Sequence, residues 1–117
     1  LLQLLGSQND MATIRLLYRM CDELGLYVMS ESDVESHGSH RSGKEGTYQQ
    51  RLALMAEDPT FRDQVCERSI VNVEWNKNHP CVLIWSLGNE AGWGANFIAA
   101  SETVKKLDSR PVHYEGF

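Results

Sequence analysis

Glu90 closes the sequence Cys81-Val82-Leu83-Ile84-Trp85-Ser86-Leu87-Gly88-Asn89-Glu90, in which five apolar residues run into a polar end. A carboxyl group placed there sits at the edge of a buried strand, the fixed position that a general acid needs. Leu87, Gly88 and Trp93 nearby could supply apolar walls, which disfavour ionisation and keep a carboxylic acid protonated near neutral pH. A solvated loop glutamate, or one in the N-cap region of the next helix, fits the same spacing and is the commoner outcome. A second group is Asp33-Val34-Glu35-Ser36-His37-Gly38. Two residues apart in an extended segment, Glu35 and His37 project to the same side. A carboxylate and an imidazole joined by a further carboxylate suit a divalent cation. Oxygen donors with no thiolate nearby favour magnesium or manganese over zinc. A polar loop with a surface histidine has the same pattern, and only a link between this segment and Glu90 separates the two readings.

The elements that must position these groups follow from periodicity. In Met11–Leu24 the residues Ile14, Leu17, Tyr18, Cys21 and Leu24 recur at three- and four-residue steps, the stripe of an amphipathic helix that Gly25 then stops. Residues 26–29 form a short apolar run, as expected of a parallel strand covered on both faces. Residues 30–60 are rich in Ser, Gly, His and charge, with a short helix expected only over 48–55; long loops in compact domains are often functional. Asp58-Pro59 gives an N-cap with proline at the first helical position, opening a helix over 61–77. Residues 81–85 are the clearest buried strand, 93–107 a third long helix, and 110–114 a last short strand. The alternation predicts an α/β fold of about three parallel strands with flanking helices. That is either an open doubly wound sheet or an arc of a (β/α)8 TIM barrel. A whole barrel needs roughly 250 residues, so a chain of 117 would be under half of one. Glu31, Glu90 and Glu115 each follow an apolar strand at its carboxyl end, where barrel active sites are built, and this favours the barrel.

Composition narrows the partners. A formal charge of −5, spread along the chain, lacks the concentrated Lys/Arg face that nucleic acid requires. No apolar run is long enough to span a bilayer, and the leucine-rich start lacks the flanks of a signal peptide. Cys21, Cys66 and Cys81 are odd in number, widely spaced and set in apolar segments, which predicts three buried thiols in a reducing, cytoplasmic setting. Trp75 and Trp85 are expected in the core, Trp93 beside the pocket or against the following helix, and His113 as a structural histidine. His40, Arg41 and Lys44 are expected to form a solvated surface.

Four segments taken together resemble the catalytic barrel of family 2 glycoside hydrolases of the β-galactosidase type. They are Leu26-Tyr27-Val28 with Glu31 to Gly38, Asn78-His79-Pro80, Ile84-Trp85-Ser86-Leu87-Gly88-Asn89-Glu90, and Arg110-Pro111-Val112-His113-Tyr114-Glu115-Gly116. Their order and spacing are in register from about Cys21 onward, so residues 1–117 are expected to be a fragment of that barrel domain. The Glu-Ser-His-Gly segment sets the β-galactosidase type apart from β-glucuronidases and β-mannosidases. The resemblance implies that Glu90 is the general acid/base, that Asn89 hydrogen-bonds the sugar, and that Glu35, His37 and Glu90 ligate magnesium, with manganese as a substitute. The implied reaction is retaining hydrolysis of a terminal β-galactoside by a parent enzyme that is a homo-oligomer. Two departures stand out. The histidine expected before the first helix is absent from Gly6-Ser7-Gln8-Asn9-Asp10-Met11, and the nucleophile belongs to a later strand beyond Phe117. Glu115 lies in a motif without a nucleophilic role. The isolated chain is therefore expected to be inactive. A truncated product that acts only by association with a partner, a related family 2 β-glycosidase, and a small doubly wound metal-binding domain are the rival expectations.

Overall fold

The computed structural model describes residues 1–5, 11–41 and 45–115. Its strands β1 (Leu2–Leu5), β2 (Val28–Glu31), β3 (Val82–Ser86) and β4 (Val112–His113) form one sheet in the order β1-β2-β3-β4. Every neighbouring pair is parallel. Order in space follows order in the chain without the reversal of a doubly wound sheet, which makes this an arc of a barrel. The arc has one strand more than the three read from sequence. The leucine run at the start pairs with β2, Leu2 opposite Val28 and Leu5 opposite Glu31.

The helices are α1 (Met11–Leu24), α2 (Tyr48–Leu52), α3 (Leu54–Glu57), α4 (Arg62–Asn76) and α5 (Ala95–Leu107). In α1 the expected stripe faces the core, with Tyr18 and Cys21 buried and Ile14 and Leu17 packed beside them. Gly25, at φ +68°, lets the Leu26 N–H reach back to the Cys21 carbonyl (2.9 Å), the closure that ends a helix on a left-handed residue. The helix expected over 48–55 is two short helices separated at Ala53. There the loop after β3 presses on the backbone: a Cβ on Gly92 would lie 2.5 Å from the Ala53 Cα. Asp58 caps as its sequence implies, accepting from the Thr60 N–H (3.0 Å) in a 3-10 turn, Pro59–Phe61, that leads into α4.

Alternation along β2 separates two faces. Ser30 points to the helices, where the Tyr18 hydroxyl lies 2.6 Å from its Oγ; Ser30 in turn donates to Asn72 Oδ1 (2.6 Å) on α4. Asn72 returns a hydrogen bond to the Ser30 carbonyl (3.1 Å), so this buried polar chain satisfies its members. Glu31 points to the opposite face, as does Ser86, its register partner on β3, which donates to Glu31 Oε2 (2.8 Å). The apolar core lies between sheet and helices around Val28, Val82, Trp85, Val65, Phe97 and Val104.

Trp85 is buried as expected, with its ring N–H on Asp108 Oδ1 (3.1 Å) and the Arg110 guanidinium over its face. Trp75 is half exposed, contrary to expectation, since its place on α4 turns away from the sheet. Cys21 and Cys81 are buried free thiols, while Cys66 is only partly covered. His113 is exposed. Among the described residues no helix is long and apolar enough to cross a membrane. The expectations for residues 6–10, for Lys44 and for the side chains of His40 and Arg41 lie outside the described residues.

Candidate functional site

Backbone hydrogen bonds beyond the carboxyl ends of β2 and β3 bring the two candidate groups together. The Asn89 N–H donates to the Val34 carbonyl (2.9 Å), and Glu35 and Asn89 form an isolated parallel bridge. Gly88 makes that approach possible. Its φ is +147°, and a Cβ there would meet the Val34 carbonyl oxygen at 2.5 Å. From Val34 to His37 the side chains alternate: Val34 and Ser36 are buried, Ser36 donating to the Leu52 carbonyl (2.9 Å), while Glu35 and His37 face outward.

One ligand atom from each of Glu35, His37 and Glu90 falls within 4.8 Å of the others. The His37 Nδ1 lies 3.6 Å from Glu35 Oε1 and in close contact with Glu90 Oε2. Their side chains remain 50%, 46% and 44% exposed for Glu35, His37 and Glu90, which leaves open positions for water around a cation. Two carboxylates and an imidazole, half solvated and without a thiolate, fit a hard divalent ion that keeps several waters. Asp33, in the same segment, turns away and pairs with Arg68 on α4 (2.9 Å).

Glu90 itself sits at φ +41°, the only described non-glycine residue with positive φ. A left-handed conformation costs such a residue about 1–2 kcal/mol and persists only where its surroundings impose it. Those surroundings come from the end of β4, through two residues whose supporting part the sequence did not reveal. The Glu90 N–H donates to Glu115 Oε1 (2.6 Å). The Ala91 N–H donates to the Tyr114 hydroxyl (3.2 Å), which donates onward to the Gly92 carbonyl (2.6 Å). Tyr114 is buried and stacks on Phe97 (4.2 Å between centroids) and Trp93 (6.3 Å). Burial pushes its phenol up to about 12, so it stays a neutral donor. Their only sequence signal was position: a polar residue and an aromatic directly after a strand.

A second cluster lies at the other end of the sheet. Asp22, in the last turn of α1, accepts from His79 Nδ1 (2.6 Å) and from the Cys81 N–H (2.9 Å), and the Cys81 thiol donates to the Tyr18 carbonyl (3.6 Å). Desolvation raises the Asp22 carboxyl, but the hydrogen bonds from Cys81 and His79 outweigh it and hold the group below its ordinary value. Burial, with Asp22 beside it, pushes the Cys81 thiol up to about 12. With both Asp22 oxygens accepting hydrogen bonds, the cluster ties α1 to the start of β3.

Residues 13–117 match the TIM barrel domain of the glycosyl hydrolases family 2. The chain is 46% identical over 100 residues to a β-galactosidase of Lactococcus lactis, 45% over 100 residues to one of Vibrio cholerae, and 43% over 102 residues to one of Pectobacterium atrosepticum. These matches take in 85%, 85% and 86% of the chain but only 9% of each relative. Among solved structures, a β-glucuronidase of an uncultured Clostridium species aligns with a TM-score of 0.55 over 96% of this chain and 19% of its own. At 22% identity that likeness shows the shared fold.

Proposed function

The chain belongs to glycosyl hydrolase family 2, as part of its TIM-barrel domain, and on that premise we propose that it supplies the acid/base half of a retaining β-galactosidase active site. The observation that carries this reading is the meeting of Glu35, His37 and Glu90 at the carboxyl ends of parallel strands, with Glu90 held in a left-handed backbone. The β-galactosidase names of the relatives at 43–46% identity support the substrate class, a terminal β-galactoside.

In the first step Glu90 gives its proton to the glycosidic oxygen as a second carboxylate, from a part of the enzyme outside this chain, bonds to the anomeric carbon and the alcohol leaves. In the second, Glu90 takes a proton from water as its oxygen attacks that carbon and the sugar–enzyme bond breaks. Asn89 hydrogen-bonds the sugar beside the scissile bond, a role supported by the backbone bridge that holds it beside Glu35. Glu35 and His37 would hold magnesium or manganese with Glu90. When bound, such a cation would supply fixed positive charge beside the acid/base. Three free thiols suit a reducing, cytoplasmic setting. With one carboxyl group of the pair supplied from elsewhere, the chain alone has no β-galactosidase activity.

The test is magnesium titration of the chain by calorimetry, beside Glu35→Ala and His37→Ala. One site of wild-type affinity, weakened at least tenfold by either change, is expected, in line with the usual cost of losing a ligand or its support. Undiminished affinity in the double variant would remove the cation from this site.

A further inference from the structure

We propose that Glu115 is a positioning residue for the acid/base: its carboxylate, by accepting the backbone N–H of Glu90, fixes the left-handed turn that aims Glu90 at Glu35 and His37. This rests on the reading of Glu90 given above and adds a residue to which that reading assigns no role.

The placement follows from the register of β4. Trp85 lies opposite Val112 and Ser86 opposite His113, and the Leu87 N–H donates to the His113 carbonyl (3.0 Å). The two residues after β4 are thereby laid alongside the turn after β3. Tyr114 takes the Ala91 N–H and the Gly92 carbonyl, and Glu115 takes the Glu90 N–H. Two consecutive side chains thus fix three consecutive residues of the turn that carries the acid/base.

The two supports differ in kind. Tyr114 is buried among Phe97 and Trp93, so its loss would unsettle the fold. Glu115 is exposed and at 2.6 Å makes a charge-assisted bond directly to the residue whose side chain does the chemistry. That N–H is the one most tied to the orientation of Glu90, because φ is the rotation about the bond that follows it. Released from Glu115, Glu90 is free to relax toward an ordinary right-handed or extended backbone. Its carboxyl then swings away from His37, and a displacement of that size typically costs roughly a hundredfold in rate.

The experiment uses the intact enzyme that carries this segment, with Glu115→Ala, Glu115→Gln and Glu90→Gln. Each is assayed on a β-galactoside with an alkyl leaving group and on one with an activated aryl leaving group. Loss of protonation slows the first most, because an acidic aryl alcohol departs without help. The ratio of the two kcat/KM values is read within one sample, so a partly unfolded variant does not distort it. Glu115→Ala is expected to lower the alkyl-to-aryl ratio by roughly tenfold or more, in the direction of Glu90→Gln. Glu115→Gln keeps a carbonyl oxygen to accept the same N–H, and is expected to restore most of the ratio. An unchanged ratio in Glu115→Ala, or a Glu115→Gln as impaired as Glu115→Ala, overturns the inference. If Glu90→Gln itself leaves the ratio unchanged, the acid/base reading fails first; if Glu90→Gln shifts it and Glu115→Ala does not, only the role of Glu115 fails.

Discussion

Both ends of this sheet carry a histidine against a carboxylate, and the two ends use the pair in opposite ways. At the amino end Asp22 and His79 are each 21% exposed, and both oxygens of Asp22 are already taken, by a ring nitrogen and by the Cys81 amide. At the carboxyl end Glu35, His37 and Glu90 are about half exposed, and the backbone that carries Glu90 is in a conformation ordinary residues avoid. Either trio is close enough to hold a cation. What separates them is where the lone pairs point. An acceptor that closes a helix end onto a strand stabilises the fold, whereas one held out into solvent by neighbouring strands remains available to a ligand.

The largest effect expected on this contrast comes from two glycines, one near each end. In Gly88→Ala the new Cβ meets the Val34 carbonyl oxygen at 2.5 Å and the Val34 Cβ at 2.9 Å, both part of a packed crossing with no flexible end to yield. A loss of about 3 kcal/mol or more is expected, together with the loss of the Glu35–Asn89 bridge. In Gly25→Ala the Cβ meets nothing within 4 Å, and only its φ of +68° opposes the change. That costs about 1 kcal/mol. Urea unfolding of the two variants checks both figures, and equal costs would mean that the approach of Gly88 to Val34 is not a constraint on the site.

Next in size is the contrast between the two carboxylates. Asp22→Ala strips partners from the Cys81 amide and from His79, both partly or wholly buried, and about 2 kcal/mol of destabilisation is expected. Glu35→Ala removes a half-exposed side chain and should change stability by no more than about 0.5 kcal/mol, while magnesium binding suffers. Thermal melting without added metal separates the two. A Glu35→Ala variant as unstable as Asp22→Ala would make the carboxyl-end cluster a structural one.

These contrasts also mark what was legible in the sequence. The stripe of α1 gave its extent, Met11–Leu24, because apolar spacing and a terminal glycine are local signals. The run before Glu90 and the alternation through Glu35 and His37 were legible for the same reason, and the family motifs joined them. β1 was not, since four leucine-rich residues have no periodicity of their own and become a strand only by pairing with β2. The break at Ala53 lies against Gly92, 39 positions further along the chain. The Asp22–His79–Cys81 tie spans 57 and 59 positions, beyond any local spacing rule. One local sign of it existed. An aspartate in the last turn of a helix opposes the helix dipole, and here Asp22 finds partners in His79 and Cys81. Glu115 showed only its position after a strand and not its role, because its partner is a backbone N–H whose direction depends on the left-handed turn at Glu90.

The smallest expected effect is a dependence on pH confined to the amino end. Asp22 is held below its ordinary value in the folded chain, so folding favours its charged form, and the stability it contributes is full above the unfolded value of about 3.9. As pH falls through the folded value, the carboxyl takes up a proton in both states and the contribution disappears. In Asp22→Asn an amide oxygen can still accept one of the two hydrogen bonds, but the charge is gone at every pH. The stability difference between wild type and Asp22→Asn is therefore expected to shrink steadily as pH is lowered below about 4. Its size is smaller than that of Asp22→Ala, because Asn retains part of the hydrogen bonding that Ala discards. Urea unfolding of both proteins at closely spaced pH values below 5 measures this difference directly. A gap that widened with falling pH would mean that folding favours the protonated carboxyl, and the tie between α1 and β3 would then rest on the shape of the Asp22 side chain and not on its charge.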